Sequence, residues 1–123
     1  MHELAVCEAL MAQVAATAAA HGARRVDRVV LRIGPLSGVE PQLLDHAFAI
    51  ARGGTIAANA VLEVQHSPVT VACTLCGATG EAAPNRLLCP ACGTWKVRVT
   101  GGDDLLLASL DLAGIDAAEQ ETA

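Results

Sequence analysis

The sequence predicts an α+β fold: a small domain of two helices and a three-stranded mixed sheet, with a zinc-ribbon-like module of four cysteines inserted into it. Three observations lead there. Helix-period and strand-period apolar patterns alternate from Glu3 to His66; two Cys-x-x-Cys-Gly knuckles follow; and a Leu-rich segment, Leu105-Leu106-Leu107-Ala108-Ser109-Leu110, comes after them. The expected boundaries are 1–68 plus 101–113 for the α+β domain and 69–100 for the insert. Residues 114–123, small and acidic, are expected to form a disordered tail.

Residues 3–21 read as a helix because Leu4, Cys7, Leu10, Met11 and Val14 share one face, and the alanines from 15 to 20 favour helix. Gly22 is the expected stop. Cys7 on that face is expected to pack as a small buried hydrophobe. Val26 to Ile33 read as a strand, with Val29, Leu31 and Ile33 on one face and Arg28, Val30 and Arg32 on the other. Gly34-Pro35-Leu36-Ser37-Gly38 is a loop. A second helix begins near Glu40-Pro41, since Pro suits the first helical position. Its apolar stripe is Leu44, Ala47, Phe48 and Ala51, and Gly53-Gly54 ends it. Residues 60–66 read as a strand with Leu62 and Val64 on one face. Val97 and Val99 suggest a short strand after the second knuckle. The segment from Asp103 returns as a last strand to the first domain's sheet, its leucine run predicting burial on both faces.

The strongest chemical signal is Cys73-Thr-Leu-Cys76-Gly77 with Cys89-Pro-Ala-Cys92-Gly93. Two residues between paired cysteines let one tight turn present both sulfurs, and four thiolates close a tetrahedral metal site. Each turn needs a residue that tolerates positive φ, hence the glycines, and Pro90 fixes φ inside the second. Two disulfides or four free thiols fit less well, because nothing else in the chain looks secreted. Zinc is the default for a closed site, and iron stays open because the knuckles also look like those of rubredoxins, electron carriers with iron on four cysteines. Rubredoxins surround their iron with several aromatics, whereas this chain has one Phe, one Trp and no Tyr.

Composition narrows the classes further. The chain has 123 residues, 53% of them hydrophobic, and a net charge of −5. That charge argues against a nucleic-acid-binding zinc ribbon, which needs a basic face. No apolar run is expected to span a membrane, and Met-His-Glu lacks the basic start of a signal peptide. Cysteines in metal spacing fit a reducing cytoplasm. A thioredoxin-like role would need a single Cys-x-x-Cys at a strand–helix junction. No nucleophile-and-base pair and no phosphate loop is apparent, so no enzyme is expected.

The other chemically informative stretch is Met1-His2-Glu3. A histidine at position two can place the α-amine, its own backbone nitrogen and its Nδ1 in one plane around an ion, with Met1 retained. A fourth position could be taken by the Glu3 amide nitrogen, a carboxylate or water. Planar nitrogen coordination favours Ni(II) or Cu(II) over zinc, and it weakens as pH falls because amide nitrogens must lose protons. By residue type alone such a histidine is ordinarily just solvated. His21, His46 and His66 form no pair with metal spacing.

The chain resembles the HypA/HybF family of nickel metallochaperones of [NiFe]-hydrogenase maturation. The matching stretches are Met1-His2-Glu3-Leu4, Ile33 to Pro41, Gly54-Thr55, Leu62-Glu63-Val64, both knuckles and the Gly-Asp-Asp-Leu start of the final strand, covering about residues 1–112. The resemblance implies a nickel-binding α+β domain with an inserted zinc domain. It implies nickel held as transient cargo at Met1, His2 and Glu3, with His2 the indispensable side chain, and structural zinc on Cys73, Cys76, Cys89 and Cys92. It also implies work with a nickel-handling GTPase and delivery to the hydrogenase large-subunit precursor, and it admits a homodimer. Ala57-Ala58-Asn59-Ala60 lacks the acidic residue associated with that stretch, and the tail beyond Leu112 has no family counterpart; neither departure touches a metal position.

Overall fold

A computed structural model of the chain describes residues 2–115, without the side chain of His2. Its elements are α1 (His2–Ala20), β1 (Arg25–Ile33), α2 (Pro41–Ala51), β2 (Val61–His66), β3 (Val69–Cys73), β4 (Thr79–Ala82), β5 (Val97–Gly101) and β6 (Leu105–Ala113). Two three-stranded sheets result, ordered β2-β1-β6 and β4-β3-β5. The expected tail lies, from residue 116 on, outside the described residues. The chain divides into two compact units, the first within Met1–Leu31, Glu40–Val64 and Leu107–Ala123, the second Arg32–Val39 with Gln65–Leu106.

In the first unit α1 packs on α2. The buried face of α1 is Cys7, Leu10, Met11, Val14 and Ala18, and that of α2 is Leu44, Ala47 and Phe48, both at helical spacing. Pro41 opens α2, and Glu40 stands at its N-cap in extended backbone. Against expectation, α1 from Glu3 to Ala20 is long and apolar enough, by length and composition alone, to cross a membrane. The cause is its alanines, which raise mean hydropathy without marking a face; the larger apolar side chains line the buried stripe. Cys7 is fully buried and its Sγ lies 3.6 Å from the carbonyl oxygen of Leu44. Burial, then the nearby Glu3 carboxylate, pushes its thiol pKa up, as for a packing residue rather than a reactive one.

The first sheet is mixed. Arg28 Nη1 lies 3.0 Å from Glu63 Oε1, and the Ser67 N–H donates to the Ile33 carbonyl. Starts meet starts and ends meet ends, so β1 and β2 run parallel with α2 as their crossover. The Arg24 N–H donates to the Ala113 carbonyl and the Gly34 N–H to the Asp104 carbonyl, so β6 runs antiparallel to β1. Val30, assigned from the sequence to the outer face, is buried along with Val26, Val29 and Leu31. A central strand, flanked on both sides, is more covered than its alternation suggests. The opposite correction applies to β6. Leu105 and Leu106 are exposed, the latter 45%, and Leu107 is half-buried. A leucine run means two-face burial in an interior strand, and β6 ends its sheet.

In the second unit β3 pairs antiparallel with β4 and with β5. Val69, Val71 and Cys73 of β3 are buried and alternate with half-buried Thr70 and Ala72. Backbone approaches closely where the 34–38 loop meets the chain leaving β5: the Leu36 N–H donates to the Gly102 carbonyl, and a Cβ on Gly34 would lie 2.0 Å from that oxygen. Beside it the Ser67 hydroxyl donates to Asp104 Oδ1 at 2.5 Å, and Arg32 Nε is 3.5 Å from Oδ2.

Candidate metal centre

Cys73 is the last residue of β3, and Cys76 lies one turn on; Cys89 and Cys92 repeat this after β4. The local geometry of the two knuckles is the same. Cys73 Sγ accepts the N–H groups of Leu75 and Cys76 at 3.3 Å, and Cys89 Sγ those of Ala91 and Cys92 at 3.4 and 3.3 Å. Both turns close on a glycine in the left-handed region, Gly77 and Gly93, each with φ 76°. The ladder supports the turns: the Cys73 N–H donates to the Ala78 carbonyl and the Cys89 N–H to the Thr94 carbonyl.

The turns bring all four sulfurs within 4.8 Å of one another. Cys73 and Cys92 are 3.7 Å apart, Cys76 and Cys89 3.6 Å. A tetrahedron with metal–sulfur bonds of about 2.3 Å has edges of about 3.8 Å, so these two edges match those of a four-coordinate site. Cys73 and Cys89 are buried while Cys76 and Cys92 are exposed, so each knuckle contributes one inner and one outer sulfur.

The proton affinities divide the same way. The Cys76 N–H, aided by that of Leu75, holds the Cys73 thiol below its ordinary value; the Cys92 N–H does the same for Cys89, which falls to about 6. For Cys76 the largest influence, the Ala78 N–H, lowers the pKa, but the Cys89 and Cys73 thiols and burial outweigh it and push it to about 11. Cys92 is also raised, the Cys89 thiol, burial and Cys73 overcoming the Thr94 N–H. Each knuckle therefore has one sulfur that gives up its proton more readily than the other, and metal affinity falls as pH falls.

The structure brings together no other His, Cys, Asp or Glu group able to hold a metal among the described residues. His21 Nδ1 is 2.9 Å from the Thr17 carbonyl at the end of α1, and His46 lines an open cleft with Pro41, Gln42, Asp45, Leu62 and Val64. Of the N-terminal trio, Met1 and the His2 side chain lie outside the described residues. Glu3 is described: its Oε2 accepts the backbone N–H of Glu40 at 3.5 Å. This links the first turn of α1 to the N-cap of α2. The signal for it was in the sequence, since a Glu-Pro helix start has no small polar cap of its own.

Comparison with known proteins agrees with this arrangement. A family model, HypA, described as hydrogenase/urease nickel incorporation, metallochaperone, matches residues 1–112. The chain is 45% identical over 112 residues to a hydrogenase maturation factor HypA of Nitrosospira multiformis, covering 91% of this chain and 97% of that one. It is 37% identical to the HypA of Aquifex aeolicus, again over 91% and 97%. Among solved structures it is similar to the nickel metallochaperone HypA of Helicobacter pylori, with TM-score 0.68 at 26% identity over 90% of this chain and 97% of that one.

Proposed function

This chain belongs to the HypA family of nickel metallochaperones for hydrogenase maturation, and from that premise we propose that it binds Ni(II) at Met1, His2 and Glu3 and passes it to the hydrogenase large-subunit precursor in the cytoplasm. The family is one of carriers rather than catalysts. The observation that carries the reading is the pairing of a family match reaching back to residue 1 with four sulfurs drawn within 4.8 Å of one another.

In this reading the segments 1–68 and 101–113 carry the nickel, and 69–100, held on Cys73, Cys76, Cys89 and Cys92, takes zinc. Zinc supplies folding energy to a segment too small to fold on an apolar core. The cysteines hold it through four thiolates, whose inner members already accept two N–H groups each. The N-terminal site answers a different need. A terminal chelate uses one imidazole and backbone nitrogen, forms on a chain end and dissolves by ligand exchange, which suits cargo. Glu3 links the first turn of α1 to the start of α2 through the Glu40 N–H. A nickel-handling GTPase and the large-subunit precursor are the partners.

A Ni(II) titration of zinc-loaded protein tests this, comparing the native N-terminus with a form extended by Gly-Ser before Met1. The extension keeps His2 and displaces the free amine. Collapse of nickel binding is the expected result; equal binding by both forms places nickel elsewhere and defeats the proposal. Iron at the four cysteines, the rubredoxin-like alternative, would make the purified protein red when oxidised, and a colourless zinc protein rules it out.

A further inference from the structure

Trp95 is the only tryptophan of the chain and is 73% exposed; Leu75, inside the first knuckle, is 64% exposed. Side chains this apolar are costly to leave in water and mark contact surfaces when they adjoin. These two are brought close by backbone. Thr74 donates both its N–H, at 3.0 Å, and its hydroxyl, at 2.7 Å, to the Lys96 carbonyl, so the neighbours of Thr74 and Lys96 sit side by side. The segment presenting Trp95 is pinned further: the Lys96 N–H donates to Thr94 Oγ1, and the Val97 N–H to the Trp95 carbonyl. A partner meeting this surface would have little loop left to order.

The charge beside the apolar pair is positive. Lys96 Nζ stands 5.7 Å from the centre of the Trp95 ring, and Arg98, exposed, follows on β5. The one carboxylate between residues 69 and 100 is Glu81, which pairs with Thr70 on the opposite side of β3 from β5. The chain as a whole carries −5, so this is a local basic spot on an acidic protein.

From the adjoining Leu75 and Trp95 and the cations at Lys96 and Arg98, we infer that this knuckle face is a docking surface for an acidic, leucine-bearing protein segment. Carboxylates of the segment meet Lys96 and Arg98, and its aliphatic side chains cover Trp95 and Leu75. A single-stranded nucleic acid fits less well: a single ring gives one stacking platform, and Leu75 would be left uncovered. The inference does not depend on nickel binding at the N-terminus.

The test is NMR and tryptophan fluorescence on the zinc-loaded full chain, with a short acetylated peptide alternating Glu and Leu as the probe. The peptide is expected to shift the Trp95 indole and Leu75 methyl resonances and to move Trp95 emission to the blue. A peptide with Lys in place of Glu, or Ser in place of Leu, is expected to bind at least about tenfold more weakly, as are Trp95→Ser and the Lys96→Glu, Arg98→Glu double variant. Trp95→Ser is checked for zinc content, and the resonance shifts need no substitution at all. Three results overturn the inference: unmoved Trp95 and Leu75 resonances; a blue shift that follows protein concentration without peptide, which makes a second copy the occupant; or tighter binding of oligothymidylate than of the acidic peptide.

Discussion

The α+β unit buries an apolar core on three elements: Cys7, Leu10, Met11, Val14 and Ala18 of α1, Leu44, Ala47 and Phe48 of α2, and Val26, Val29, Val30 and Leu31 of β1. Between residues 69 and 100 the buried apolar side chains are Val69, Val71, Cys73 and Cys89, and two of those four are ligand candidates. One region can be ordered by removal of surface from water; the other has two valines and four sulfurs to do the same job. The two parts of this chain therefore have separable sources of stability, and each can be attacked without the other.

The largest effect is expected from Cys89→Ser, or from a strong chelator. Metal binding is worth on the order of 10 kcal/mol in small zinc modules, so amide protection in β3, β4 and β5 should vanish while α1, α2 and the centre of β1 stay protected in hydrogen exchange. Simultaneous melting of both regions would show that they share one source of order. The converse is Phe48→Ala. It removes a side chain only 2% exposed and should cost about 4 kcal/mol of α+β stability in chemical denaturation, with the metal content of the knuckles unchanged.

Gly93→Ala sharpens the contrast inside the knuckles. Nothing stands within 4 Å of the added methyl, so the penalty is that of φ 76° alone, about 1–2 kcal/mol. It should appear as faster metal loss to a competing chelator, and Gly53→Ala, where φ is not positive, serves as the control. The smallest effect is one of pH. The Ser67 hydroxyl, and less strongly Arg32, holds the Asp104 carboxyl below the usual carboxylate range. Its contribution is therefore complete at neutral pH and fades as pH falls from the ordinary carboxylate value through the depressed one. Ser67→Ala should flatten that part of the acid stability profile. Thiolate protonation destabilises both proteins alike, so the difference between them isolates Asp104.

How much of this was legible in the residues depended on where order comes from. The helices and β1 were readable because apolar burial creates them, and periodicity reports apolar burial: Leu44, Ala47 and Phe48 are where the stripe put them. The knuckles were readable because ligand spacing is written in cysteines and glycines. Of the second sheet only β5 was, from Val97 and Val99. Thr79-Gly80-Glu81-Ala82 has no apolar alternation, since β4 is held by its ladder to β3 and by the knuckle it leaves. The alternation of Val69, Val71 and Cys73 is short and runs straight into the metal motif, which masks it. Strand position is invisible too: the burial of Val30 and the exposure of Leu106 follow from centre and edge, which are properties of the assembled sheet and not of the segment.

The order β2-β1-β6 has a consequence for how the chain reaches its native state. The central strand takes one neighbour from before the knuckles and the other from after them, so its second pairing must wait for a loop running from His66 to Leu105. Once β3 and β5 are joined, Thr70 lies opposite Gly101 and the effective loop is roughly fourfold shorter, which lowers closure entropy by about 1 kcal/mol. Metal capture then acts as a kinetic aid to a sheet that holds none of the four cysteines. Refolding with zinc present should complete the β1–β6 pairing several times faster than refolding with chelator, while the β1–α2–β2 crossover forms at one rate in both.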